Sequence, residues 1–119
     1  MEISTGQAAD DLPRAEQIGK LNDRLRITGT GGAIMITHNV QRVTGFDANV
    51  LAAALASYDA FDLDNDPHGE RDFGDLSLWG YDLLWKVDYY NPDLKYGSNN
   101  PANPAVTSRV LTVMLASDW

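Results

Sequence analysis

With 119 residues, 44% hydrophobic and 22% charged, the chain has the size and composition of one ordinary globular domain with a real core. It has no cysteine, which excludes disulfides, thiolate metal sites and cysteine nucleophiles, and its formal charge of −8 disfavours direct contact with nucleic acid. The apolar runs are too short to span a bilayer and the N-terminus lacks a leader pattern, so a cytoplasmic protein with no membrane contact is expected.

Residues 1–12 are polar and read as a flexible N-terminus, leaving 13–119 as a single domain. Pro13 suits the first position of a helix, and Ile18, Leu21 and Leu25 recur at helical spacing up to Gly29, which predicts a helix over 13–28. "TGTGG" then leads into "AIMIT", read as a short strand. A dinucleotide-binding loop needs a strand before its glycines and a helix after them, and here the order is reversed. "HNVQRVTG" is turn-like. Asp47 can cap a second helix that runs to about Ala60 and buries Val50, Leu51, Ala54, Leu55 and Tyr58. Leu76 and Leu78 alternate with Asp75 and Ser77. Beyond the turn "WGYD", Leu83, Trp85, Val87 and Tyr89 alternate with Leu84, Lys86, Asp88 and Tyr90. This is a hairpin with one buried face. After a loop rich in Pro and Asn, Asn103 and Pro104 open a last helix that buries Val106, Val110, Val113 and Met114. The expected architecture is α+β in the order αβαββα, a small and mostly antiparallel three-stranded sheet packed with three helices.

Charge is unevenly distributed. Residues 59–93 hold Asp59, Asp62, Asp64, Asp66, Glu70, Asp72, Asp75, Asp82, Asp88 and Asp93 against Arg71 and Lys86 alone. Residues 14–42 carry Arg14, Lys20, Arg24, Arg26 and Arg42 against Glu16 and Asp23. Within "DLDNDPHGERDFGD", Asp62, Asp64 and Asp66 match the opening ligand positions of a calcium loop. Pro67 and Phe73 then stand where Gly and a bidentate Glu are needed. Asp64, Asp66, His68, Glu70 and Asp72 lie two apart, so in extended chain they would share a face and could offer magnesium or manganese a carboxylate site. His38 and His68 are the side chains that titrate near neutrality, and no nucleophile elbow or acid–base constellation surrounds either. Lys86 and Asp88 read as a surface ion pair. Trp79, Tyr81, Trp85, Tyr89, Tyr90 and Tyr96 gather within eighteen residues, and aromatics beside acids make a reasonable protein-docking surface.

"DNDPHGERDFG" (64–74), "WKVDYYNPDLKYGS" (85–98) and "PANPAVTSRVLTVMLASDW" (101–119) resemble an uncharacterised family of small proteins catalogued as a domain of unknown function. The resemblance spans residues 14–119 and implies an alphaproteobacterial origin, often on plasmids and other mobile elements. Arg71 stands where relatives are expected to carry His, and Asn91, Asn99 and Asn103 where acids are common. The resemblance supplies no activity, cofactor or catalytic residue.

The expectation is a non-catalytic acidic protein with no cofactor that docks on the basic, nucleic-acid-binding surface of a protein partner. It would use Asp62, Asp64, Asp66, Glu70, Asp72, Asp88, Tyr89, Tyr90, Asp93 and Tyr96. Its sharpest form is an inhibitor of a host defence complex of the CRISPR or restriction type. The alternative is a divalent-metal carboxylate enzyme using the Asp64–Asp72 cluster. A third expectation is a homodimer built on an exposed sheet edge.

Overall fold

A computed structural model describes residues 12–119 of the chain. The flexible segment expected at the N-terminus lies, apart from Leu12, outside the described residues. The first helix, α1, covers Arg14–Thr28, beginning one residue later than expected because Pro13 is its N-cap rather than its first turn, and ends at Gly29. Strand β1 is Ala33–Ile36. The turn-like "HNVQ" closes into a single helical turn, α2, at His38–Gln41. Helix α3 covers Ala48–Ser57, and the Asp47 carboxylate accepts the Asn49 and Val50 amides as a cap. It ends three residues short of Ala60, because the Tyr58 backbone turns extended. Strands β2 (Phe73–Leu78) and β3 (Tyr81–Tyr90) form the expected hairpin. Trp79 and Gly80 both adopt positive φ, the geometry of a two-residue turn matched to strand twist. Trp79 is held there by Phe46, whose ring meets it edge-on at 5.4 Å.

The C-terminal segment corrects the sequence reading. Asn103 does cap and Pro104 does follow, but they make only a single 3-10 turn, Pro104–Val106. Ser108–Leu115 is then a strand, β4. Val110, Thr112 and Val113 are β-branched and fit a pleated surface better than a helix. The sheet therefore has four strands, not three, in the order β1-β4-β3-β2, with β1 parallel to β4 and the other pairs antiparallel. β4 buries Arg109, Leu111 and Val113 on the core face, but Val110 and Met114 make its other face partly apolar too, and the alternation that marks an ordinary strand is blurred. Val106, placed in the buried stripe of the expected helix, is exposed, as is Val50 of α3.

The core lies between α1, α3 and one face of the sheet. Leu83, Trp85 and Val87 of β3 and Leu111 and Val113 of β4 meet Leu25, Val40, Leu51 and Leu55 there. Tyr58 and Phe61 stand edge-on to the Trp85 ring, at 5.4 and 6.0 Å between centroids. Room for this aromatic cluster comes from Gly74, where a Cβ would sit 2.6 Å from both Trp85 Nε1 and Tyr58 Cζ. The opposite face carries Leu84, Lys86, Asp88 and Tyr90, and Trp119 packs edge-on to Phe73 at 5.6 Å. Among the described residues, no helix is long and apolar enough to cross a membrane.

Gly74→Ala should cost about 1–3 kcal/mol, the scale of overpacking a filled core, read as a lower urea midpoint with unchanged slope. A neutral result would mean that the two rings part freely.

Candidate functional site

The acidic loop between α3 and β2 is built by its own side chains. The Asp62 carboxylate accepts the Asp64 and Asn65 amides, both at 2.9 Å, and Asn65 Oδ1 accepts the Asp62 amide at 3.0 Å. The Asp66 amide donates to Asp62 O and the Gly69 amide to Asp66 O, so the chain turns twice within eight residues. Asp66 is buried and accepts the Arg71 amide at 2.9 Å. That bond helps hold Arg71 at φ 51, a left-handed conformation costing a non-glycine residue about 1–2 kcal/mol. Past the loop, Asp72 O accepts the Val87 amide and starts the β2–β3 pairing.

A buried polar network ties this loop to the rest of the molecule. Asn22 of α1 is fully buried. Its Nδ2 donates to Glu70 O at 2.9 Å and to Tyr89 Oη at 2.8 Å, while its Oδ1 accepts Arg109 Nε at 2.7 Å. Tyr89 Oη donates in turn to Glu70 Oε1 at 3.0 Å. The Arg109 guanidinium is 1% exposed, lies 5.1 Å from the centre of the Tyr89 ring, and donates to Pro101 O. One helical turn further along α1, Arg26 donates to Leu55 O and Tyr58 O at 2.7 and 2.9 Å, capping the C-terminal end of α3. Asp23 lies between, bridged to Arg26 at 3.2 Å and held by Arg71 through two nitrogens at 2.9 Å. Arg71 passes so close to α1 that a Cβ on Gly19 would meet its Nη2 at 2.9 Å.

The residues expected to bind a partner fall into several settings. Asp62 and Asp64 are exposed on the loop. Asp66 is consumed by the turn, while Glu70 and Asp72 are half-buried beside Tyr89. Tyr89 points into the core face. Asp88 and Tyr90 lie on the opposite face, where Asp88 pairs with Lys86 as the alternation implied. Asp93 and Tyr96 are exposed on a separate loop. The 59–75 acids fall into neighbouring groups: Asp62 and Asp75 both act electrostatically on Tyr58, and Asp66 and Glu70 both act on Asp72, while Asp75, opposite Leu84, lies on the sheet face turned away from the core. Among the described residues, Lys86–Asp88 is the only ion pair that an acid of 59–93 makes. The shared extended face imagined for Asp64, Asp66, His68, Glu70 and Asp72 does not form, because the chain turns at Asp66 and Gly69. Among the described residues no three His, Asp or Glu side chains gather as a metal ion requires.

Asn22, Asp23, Arg26 and Arg109 were not singled out from sequence. Arg109 had one legible signal, a lone cation inside "TSRVLTVML" that strand spacing aligns with Leu111 and Val113. The helical reading of that segment hid it.

Burial pushes the Tyr89 phenol well above its ordinary value, and the neighbouring Glu70 and Asp72 add to that against the Asn22 bond, so Tyr89 remains a donor. Burial also lowers the Arg109 guanidinium, offset in part by Tyr89 and Glu70. Asp72 is raised, first by burial and then by Glu70. A carboxyl raised on folding favours the native state in its protonated form. That contribution is complete below the ordinary value of about 4 and is lost as pH climbs through the folded value. Asp72→Asn should therefore raise the thermal midpoint at neutral pH, with the gain vanishing in acid. A gain that is independent of pH would contradict the sign. Arg109→Met, which strands Asn22 Oδ1 and Pro101 O, should cost about 1–3 kcal/mol for each acceptor left unmet and speed amide exchange across residues 66–72. Unchanged exchange there would mean the network does not hold the loop.

Comparison with curated proteins and with solved structures finds no match. Residues 36–118, from the end of β1 to the C-terminal turn, do match a family, and the chain belongs to it: the protein of unknown function family DUF3768.

Proposed function

We propose that this chain is a non-catalytic, cytoplasmic binding protein whose β2-side acids dock on a basic protein surface. The single observation that carries the reading is the uncompensated charge there. Asp59, Asp62, Asp64 and Asp75 are exposed, and none is matched by a lysine or arginine among the described residues. The Asp72 carboxyl is raised first by its burial, and Glu70 and, more weakly, Asp66 add to that, so it feels the same field. A fixed array of carboxylates attracts cations at long range, steers association and is weakened by salt. Where the basic surface is one that ordinarily holds nucleic acid, the carboxylates occupy the place of phosphates and the protein acts as an inhibitor. A host defence effector is the narrowest case.

The structure changes which acids should be tested. Asp66 and Glu70 hold the fold, so neutralising them confounds binding with unfolding. Asp59, Asp64 and Asp75 are exposed, and no side-chain hydrogen bond of theirs ties the loop down. Asp59→Asn, Asp64→Asn and Asp75→Asn combined should leave the melting temperature nearly unchanged. The triple variant should also lose most of the partner captured by pull-down from the native host at low salt. Equal capture by the variant, or capture insensitive to salt, rejects the reading.

A further inference from the structure

We propose that β1 is the seam of a homodimer, in which two copies of the chain pair their β1 edges antiparallel about a twofold axis with Ile34 opposite Ile34. This inference goes beyond the acidic docking surface and does not depend on it.

Three observations converge on this edge. First, β1 is terminal in the sheet, and Ala33–Ile36 contains none of the usual blunting devices: no lysine, no proline and no bulge in its register with β4. Ile34 and Met35 are 38% and 60% exposed. Second, the hydrogen-bond phase of the strand suits a twofold. The Thr37 amide donates to Val113 O, so by strand alternation Ala33 and Met35 also turn their backbone groups towards β4. The N–H and C=O of Ile34 then point outward. The outward C=O of Ile36 is already taken by Gln41 Nε2 at 2.7 Å. A self-paired residue that offers both groups forms the closely spaced double hydrogen bond of an antiparallel ladder with its own copy. Third, the helical side of this edge opens on an apolar cleft of about 170 Å³, lined by Ile27, Ile34, Ile36, Ala48, Leu51 and Ala52 among others. Helix α3 contains no charged residue, and the one guanidinium at the cleft, Arg26, is buried and engaged by α3. A strand added beside β1 would lay its inward side chains against Ile34 and Ile36 under this lining, so backbone pairing and apolar burial would come together.

The single outward residue with both groups free, Ile34, sets the occupant as a second copy on a twofold, and charge permits it. A chain of formal charge −8 repels itself, and most surfaces near the 59–75 acids are closed to self-association. Joining β1 to β1 puts the two β2 strands at opposite ends of an eight-stranded sheet. They are then seven strand spacings, or roughly 34 Å, apart, against a screening length of ~8 Å. Pairing through β2 would instead bring the acidic loops together. The twofold closes, so no open-ended polymer follows.

Sedimentation of the full chain over a micromolar to high-micromolar range tests this. The wild type should reach twice the 13.1 kDa chain mass, and added salt should leave the association little changed. Ile34→Lys should weaken dimerisation about tenfold or more, the scale of losing a central interface contact. Ile34→Pro removes the outward N–H without touching the β4 ladder and should do the same with the far-ultraviolet spectrum retained. If the proline variant fails to fold, the lysine variant decides. Tyr90→Ala, on the opposite face, should leave the dimer intact. A wild type that stays monomeric throughout overturns the proposal. So does a monomer whose outward Ile34 amide is protected from exchange, which would mean that another part of the same chain covers the edge, and one whose Ile34 amide exchanges freely, which would leave the edge to a foreign strand. A dimer indifferent to both Ile34 substitutions, or one dissolved by salt, overturns it as well.

Discussion

The Arg109 guanidinium is a cation sealed between a helix and a sheet, and much of the molecule is arranged to make that tolerable. Desolvating such a group costs several kcal/mol unless its donors are met. No carboxylate touches it directly. Its charge is received by Asn22 Oδ1, the Pro101 carbonyl and the face of Tyr89, and Glu70 is reached only through Asn22 and the Tyr89 hydroxyl. The arrangement works only if α1, the 66–72 loop, β3, the 99–103 loop and β4 all hold their positions at once. Residues distant in sequence are thereby fixed relative to one another by one buried charge. A hydrophobic core of interchangeable leucines could not specify that register.

Arg14, Lys20, Arg24 and Arg42 stay exposed, but three other arginines work inward. Arg26 caps α3 against Leu55 O and Tyr58 O while stacking near Phe61 and Trp85, and Arg109 is buried outright. Arg71, the cation nearest the acidic loop, is spent on Asp23 of α1. Three arginines are thus withdrawn or engaged, whereas only Asp66 among the loop acids is buried. The outer surface is more negative than the composition implies, and the excess lies on the β2 side.

This history explains what the sequence disclosed. α1, β1, α3 and the β2–β3 hairpin were legible because each has a simple face: Ile18 with Leu25, Leu51 with Leu55, or Leu83 with Trp85 and Val87 recur at the period of their element. β4 was not legible, since Val106, Val110, Val113 and Met114 also recur at helical spacing and Asn103–Pro104 mimics a helix start. That single misreading also concealed Arg109, and with it the network that organises the loop. The acids were located correctly as a stretch, but their roles were not. Spacing of two residues suggests a shared face only in extended chain, and Asp62 and Asp66 are the residues that make this chain turn.

The two edges of the sheet end up with opposite characters for one reason. At β2 the neighbouring loop is locked by Asp66 to the Arg71 amide, by Arg71 to Asp23 and by Glu70 to Tyr89, so its exposed carboxylates hang from a rigid frame. Less conformational entropy remains to be lost when a cationic surface binds them. The same locking needs α1 drawn towards the Tyr89 and Arg109 end of β3 and β4, where Asn22 can reach both. Beyond Gly29 the helix stops, and the last turn of α1 and α3 leave between them the cleft over Ile34 and Ile36. Rigidity at the charged edge and openness at the apolar edge are consequences of where one asparagine must sit to satisfy one arginine.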